Sequence, residues 1–400
     1  MPTHLRLILP LLLMAATACA HADGAFYGAG SPYRNLSTVP VGTIVHLRTG
    51  VTVDRATLFD HLARAQVVYV GETHDNPEAH RVELEILQAL AARHPDLAVG
   101  LEMVPRDQQP LLDEWVAGRM TEKEFARHWT QLWATGYRAY EKILRFCRDR
   151  HIPLLALNAP RALVRAVAKD GLDHLSKEMR RELPDRLDTD DPYHRAKTKA
   201  LFSGHSKGHT PDFDRFYLAQ VLWDESMAQT GADYLKGHPG AHLLILAGGY
   251  HVEQGIGVPR RLFRRLPVPF ATVVPFTPVA PKDKQDRLMK VKKMPKLPLL
   301  LADFAWAVDY GDLPGVKLGV VVGREAGGGD KQGLAVDQVM ETTPAAAADI
   351  RAGDRIVEVN GEAVNDLADL QWILGDLHKG DTAEVTVERD GARQTVAVTF

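Results

Sequence analysis

Short apolar runs alternate along the first three quarters of the chain with longer stretches in which apolar positions recur every three or four residues. The run AQVVYVGE is rich in β-branched residues and predicts a strand. Asn76-Pro77 then supplies a cap and a proline at the first helical position, and Ala79, Val82, Ile86 and Leu90 share one helical face. DLAVGLEM and HIPLLALNAP predict two further strands on either side of a Trp- and Arg-rich helical region over residues 106–150. AHLLILAGGYH and PFATVVPF add two more, and LADFAWAVD near residue 305 closes the set. Strands alternating with helices predict an α/β domain over residues 36–310, with a mainly parallel sheet and flanking helices. Beyond YGDLPG the pattern changes, and residues 313–400 read as a small β-rich domain of their own.

Composition narrows the classes. With 400 residues, 45% hydrophobic and 25% charged, the chain suits two globular domains rather than disorder. A net charge of -3 gives no basic excess, so no nucleic-acid partner is expected. The Lys/Pro-rich stretch 281–298 reads as a charged linker, with an anionic-membrane patch as the alternative. Residues 1–22 look like an export signal. Either Ala16-Thr17-Ala18-Cys19 is a lipobox that lipidates Cys19, or ordinary peptidase cuts at Ala20 or Ala22. The expected location is the periplasm, on the lipobox reading with a lipid anchor in the outer membrane. Cys147, the other cysteine, reads as buried and inert.

Candidate chemistry collects where the apolar runs end. Glu72, His74 and Asp75 follow the first strand, Glu102 the second, Asn158 the third, and Gly248-Gly249-Tyr250-His251 a fourth. In parallel sheets these ends form one rim, where ligands bind. Singly each residue reads as a cap or turn; jointly they suit metal ligation, acid–base work or anion binding. A helix starting at Thr210-Pro211 aligns Phe213, Tyr217, Gln220, Asp224 and Met227, so Gln220 and Asp224 point inward, to another helix or to a pocket. His205 and His209 sit in a Gly/Ser setting that reads as a flexible loop or as a source of metal ligands, downstream of Tyr193-His194.

The blocks VVYVGETHDNPEAH, GLEMVPRDQQPLLDEW, ALNAPR, FYLAQVLWDESMA and GGYHVEQGIGVPRRL, in that order, resemble the ChaN family of haem-binding lipoproteins. The wider group includes Tiki and TraB proteins and erythromycin esterases. The resemblance implies an exported lipoprotein of iron acquisition that holds haem at a homodimer interface through a tyrosine. Tyr217, Tyr193 and Tyr250 are the candidates in that order, with His74 or His251 assisting. Arg106 or Arg161 would meet the propionates, and Phe213, Phe216 and Trp223 the porphyrin faces. Without a CxxCH motif the haem would be noncovalent. The wider group implies an alternative: a hydrolase or peptidase, dependent on a divalent metal or on carboxylates, using Glu72, His74, Glu102 and His251. The final segment resembles a PDZ domain of the bacterial protease type, with Leu318-Gly319-Val320 as its carboxylate-binding loop. That implies recruitment of a C-terminal or extended peptide of another exported protein by strand addition.

Overall fold

A computed structural model describes residues 35–133, 135–205, 212–282, 295–323 and 332–400. The expectations for the export signal, Cys19, Thr210-Pro211, His209, the His205 side chain and most of the Lys/Pro-rich stretch lie outside the described residues. The chain forms two compact units, one of residues 1–117 and 143–311, the other of residues 118–142 and 312–400. No helix among the described residues is long and apolar enough to cross a membrane.

The first unit holds an eight-stranded sheet. Its strands are β1 (Ile44–His46), β2 (Val51–Val53), β3 (Val67–Glu72), β4 (Leu97–Pro105), β5 (Leu154–Asn158), β6 (His242–Gly248), β7 (Phe270–Phe276) and β8 (Phe304–Ala307). They lie in the order β2-β1-β8-β7-β3-β6-β4-β5. From β8 to β5 every neighbouring pair is parallel, and β1 runs antiparallel to β8 and β2. The chain lays down β3, β4 and β5, returns to place β6 between β3 and β4, and then builds outward through β7 on the other side. Such a reversal opens a crevice at the strands' carboxyl ends.

β3, β4 and β5 are buried along their whole length, which is why they read as continuous apolar runs rather than alternating ones. Val67 and Tyr69 of β3 and Leu243 and Ile245 of β6 pack with Met227, Ala228 and Leu235 of the helix Phe213–Gly237. That helix is capped by Asp212, whose side chain accepts from the Asp214 amide. The helix Pro77–Ala91 starts as expected: Asn76 caps it, and Ala79, Val82, Ile86 and Leu90 are buried. The helical region 106–150 is divided into helices Gln109–Val116, Glu122–Leu132 and Tyr137–Asp149.

In the second unit, β9 (Val320–Val322), β10 (Leu334–Val339), β11 (Arg355–Val359), β13 (Thr382–Arg389) and β14 (Ala392–Thr399) form an antiparallel sheet, with β12 (Glu362–Ala363) paired to β11. The helix Leu367–Leu374, capped by Asp366, buries Leu370, Ile373 and Leu374 in the core of this sheet.

Ile245 is fully buried between the sheet and the helix Phe213–Gly237. Ile245→Ala is expected to destabilise the first unit by about 2–5 kcal/mol, read from urea unfolding.

Candidate functional site

The carboxyl ends of β3, β4 and β6 meet in a cluster of buried charged groups. β3 ends on Glu72, and the turn after it carries His74. β4 pairs regularly with β5 up to Leu101, then shifts register before Pro105, and this bulge sets the course of the backbone at Glu102. β6 ends on Gly248, and a short helix, Gly249–Val252, delivers His251. A Cβ on Gly248 would lie 2.7 Å from His74 Nε2, so only glycine admits the imidazole there.

Two linked chains of contacts run through the cluster. In the first, Glu72 meets His74 Nδ1 at 2.7 Å and His80 Nδ1 at 2.8 Å. His80 Nδ1 also meets Glu83 at 2.9 Å, and His80 Nε2 donates to the His74 carbonyl at 3.1 Å. In the second, Glu102 accepts from the Gly248 amide at 2.6 Å and faces His251 Nε2 at 3.4 Å. His251 Nδ1 meets Asp224 at 2.7 Å, and Asp224 meets His194 Nε2 at 2.8 Å. Tyr250 lies beside His194, its hydroxyl 2.6 Å from Thr198 Oγ1. Arg261, fully buried, stands 3.7 Å from Asp224 and 3.2 Å from Glu225.

These contacts fix protonation. Both ring nitrogens of His251 face carboxylates, so both must donate and the ring is an imidazolium. Burial opposes that charge, but Glu102 and Asp224 outweigh it and hold His251 up to about 10. Burial likewise opposes His80, and Glu72 brings it to about 10. Glu72 and Asp224 would be raised by burial, but the facing imidazoles drive both well below the usual carboxylate range. Glu102 is lowered in the same way, chiefly by His251. Glu83 goes the other way: burial and the charge on Glu72 raise it to about 8, so it stays protonated at neutral pH. His194 is lowered by burial despite Asp224.

The structure thus brings together Glu72, His74, Glu102, His251 and the inward-pointing Asp224. Asn158 joins them by donating to the Glu102 carbonyl at 2.9 Å. Asp75 accepts from the Tyr310 hydroxyl, and Asn76 caps its helix, so both hold the turn. Sequence reasoning missed His80 and Glu83, three residues apart on the helix Pro77–Ala91, and the parts taken by His194 and Arg261. Glu72, His80 and Glu83 each offer a donor atom within 4.8 Å of the others, but His80 carries protons on both nitrogens and Glu83 keeps its own, so a divalent cation would have to displace those protons to be held there.

The tyrosine candidates are scattered by burial. Tyr217 is 1% exposed and Tyr250 2%, whereas Tyr193 is 37% exposed. Burial raises Tyr217 to about 12, and Tyr250 well above the ordinary phenol value. Tyr193 opens the helix Pro192–His205, where Asp191 accepts from its amide at 3.0 Å. Along this helix and the start of Phe213–Gly237, Phe202 packs on Phe213 and Phe216, and the Arg195 guanidinium lies 5.0 Å from the ring centres of Phe213 and Tyr217. Arg106 is engaged with Glu182, and Arg161 is half-buried on its own helix. Cys147 is buried, and burial pushes its thiol up.

A second site lies on the β9 edge of the second unit. The Leu318 carbonyl accepts from the Ala345 amide and the Gly319 carbonyl from the Met340 amide, each at 2.9 Å. In a trans peptide the next amide points the opposite way, so that of Val320 is turned from β10 toward the open edge and that of Gly319 away from Ala345. Gly319 has φ +86°, and a Cβ on it would strike Thr343.

Comparison with known proteins matches residues 58–262 to the family described as haem-binding uptake, Tiki superfamily, ChaN, and residues 315–400 to the PDZ domain. A solved structure described as cofacial heme binding to ChaN of Campylobacter jejuni superposes with a TM-score of 0.50 at 17% identity, covering 66% of this chain and 95% of that one. At that identity the likeness shows the fold. Protein RETICULATA-RELATED 5, chloroplastic, of Arabidopsis thaliana is 27% identical over 63% of this chain and 35% of its own length. A probable periplasmic serine endoprotease DegP-like from Pseudomonas savastanoi pv. phaseolicola is 42% identical over 20% of this chain and 19% of its own. The chain therefore spans about a third of the plant relative and about a fifth of the protease.

The buried cluster predicts a pH dependence. His80 and His251 are held at about 10 against an ordinary 6.5, so the stability they contribute is complete below about pH 6.5 and is lost as pH rises toward 10. Glu83, raised from 4.5 to about 8, adds a cost that grows across pH 4.5–8. The urea midpoint of the first unit is expected to fall from neutral pH to pH ~9.5, and His251→Asn to flatten that fall. A midpoint that rises over this range would contradict the assignment of charges.

Proposed function

The chain belongs to the haem-binding uptake family of the Tiki superfamily that includes ChaN, and from that membership we propose that it is an exported haem-handling protein whose PDZ domain recruits a partner polypeptide. The match over residues 58–262 carries this reading. The finer parts of the proposal are iron acquisition, a periplasmic location and a lipid anchor at Cys19. The first two draw on the family and on the periplasmic DegP-like relatives, and the third on the Ala16–Cys19 sequence.

The residues present fit a haem group at the surface better than within the strand-end cluster. A phenolate is a hard, anionic donor suited to ferric iron, and bound haem supplies that iron together with a flat apolar face. Tyr193 presents its phenol to solvent, so it is the proposed ligand ahead of Tyr217 and Tyr250, whose hydroxyls are enclosed. Phe202, Phe213 and Phe216 offer aromatic cover, and Arg195 a cation for a propionate. A second copy presenting the same patch would suit the cofacial heme binding that the Campylobacter jejuni structure is described as showing.

The hydrolase alternative draws less support. A general base needs a free lone pair, and His251 donates from both nitrogens. His80 is in the same state, with Nε2 on a carbonyl and Nδ1 between two carboxylates.

Hemin titration of the purified chain is expected to give a saturable Soret change, and Tyr193→Phe to remove the ferric tyrosinate charge-transfer band. Tyr217→Phe and Tyr250→Phe are expected to keep the band; its loss in either variant moves the ligand there. No saturable change in the parent chain rejects the haem reading.

Cys19→Ser is expected to release the protein from membranes into the soluble periplasmic fraction, because the acyl chains supply the membrane affinity. Unchanged fractionation with a mature N-terminus beyond Cys19 rejects the anchor.

A further inference from the structure

Residues 118–142 fold with the C-terminal residues, although in sequence they lie between β4 and β5. The segment is braced internally. Thr121 and Glu124 form a capping box at the start of the helix Glu122–Leu132, Trp129 Nε1 donates to the Gly136 carbonyl, and the Tyr137 hydroxyl donates to Glu122.

Its ties to the rest of the unit fall at the two ends of the helix Leu367–Leu374. At the start, Arg127 pairs with Asp366 and, at 2.6 Å, with Asp369. At the far end, the Arg138 guanidinium lies 4.4 Å from the Trp372 ring centre and pairs with Asp376 at 2.7 Å. Between these ties a cavity of about 380 Å³ stays open. Leu318, Val320 and Leu370 line it from the C-terminal residues, and Ala126, Thr130 and Tyr137 from the segment.

We propose that residues 118–142 form one wall of the peptide groove, so that the partner's apolar C-terminal residue is held between this segment and the β9 edge. The proposal rests on the peptide-binding reading of the PDZ domain and adds to it residues more than 170 positions away in sequence, from Leu318 back to 118–142.

Three observations favour a peptide ending in a free carboxylate. Among the described residues β9 ends its sheet, with a strand on one side, so an extended chain can add to the other. Val321, Met340 and Leu367 are exposed apolar groups, and Met340 and Leu367 line the cavity itself. Donors are at hand: the Val320 amide faces the open edge, and Arg138, whose terminal nitrogens pair with Glu141 and Asp376, lines the same cavity with a buried Nε that has no acceptor among the described residues. A volume of about 380 Å³ is near the low end of the roughly 300–1,000 Å³ of ligand pockets, which suits one or two side chains.

The test uses the full chain and fluorescein-labelled octapeptides ending in phenylalanine, leucine or valine, each as free acid and as amide, read by polarisation. Thr130→Trp, which fills the cavity from the segment's side, is expected to weaken binding by about tenfold or more. Gln131→Trp, the next residue along and exposed, is expected to stay within about twofold of the parent. Arg138→Gln is expected to weaken the free acids several-fold while leaving the amides unchanged, a difference that loss of packing alone would not produce. Parent-like affinity in both Thr130→Trp and Arg138→Gln overturns the composite wall while leaving the peptide reading standing. If Thr130→Trp fails to fold, the acid-to-amide ratio in Arg138→Gln decides alone. No binding of any free-acid peptide by the parent overturns both.

Discussion

Glu72, Glu102 and Asp224 are ionised out of water, and the first unit is arranged around giving each a positive partner. An unpaired buried charge costs several kcal/mol, more than one hydrogen bond returns, so such groups persist only as a balanced set. Here each imidazolium serves two carboxylates: His251 joins Glu102 to Asp224, and His80 joins Glu72 to Glu83. Glu83 is the exception that keeps the balance, because it holds its proton. The bulge in β4 and the bare Cα of Gly248 are backbone conditions for the same arrangement.

Much of this was legible from sequence, for identifiable reasons. β3 to β7 announce themselves because burial on both faces demands continuous apolar runs, and Glu72, His74, Glu102 and His251 stand out because they interrupt or follow those runs. His80 and Glu83 did not, because a His and a Glu three apart on a helix look the same whether the face is wet or dry. Only the end of β3 decides that this face meets Glu72. Arg261 and His194 were out of reach for a different reason: each finds Asp224 from over 25 residues away in sequence, and no local spacing encodes such a meeting. The stripe that pointed Tyr217 inward was read correctly. Tyr193, which no such stripe marks, is the tyrosine candidate left at the surface.

The same limit explains the segment 118–142. Its pattern predicts helix, and helix forms, but the partner of a helical face is a tertiary fact. Arg127 and Asp366 are separated by more than 230 residues, and their pairing shows only once the fold is in hand. A domain boundary drawn on composition near residue 313 therefore separates two stretches that pack as one unit.

Burial of the cluster and exposure of Tyr193 are connected. Asp191 accepts from the amides of Tyr193 and His194 and pairs through its other oxygen with Arg260 at 2.7 Å, which anchors the first turn of the helix. The next side chain, His194, is locked against Asp224, and Thr198, one turn on, is held by Tyr250. A helix start pinned at three successive points fixes the backbone from which the Tyr193 side chain projects, leaving only its own torsions free. The charged interior, through its own contacts, holds the helix that carries the proposed binding surface. A change at Asp224 would then disturb Tyr193 without touching it.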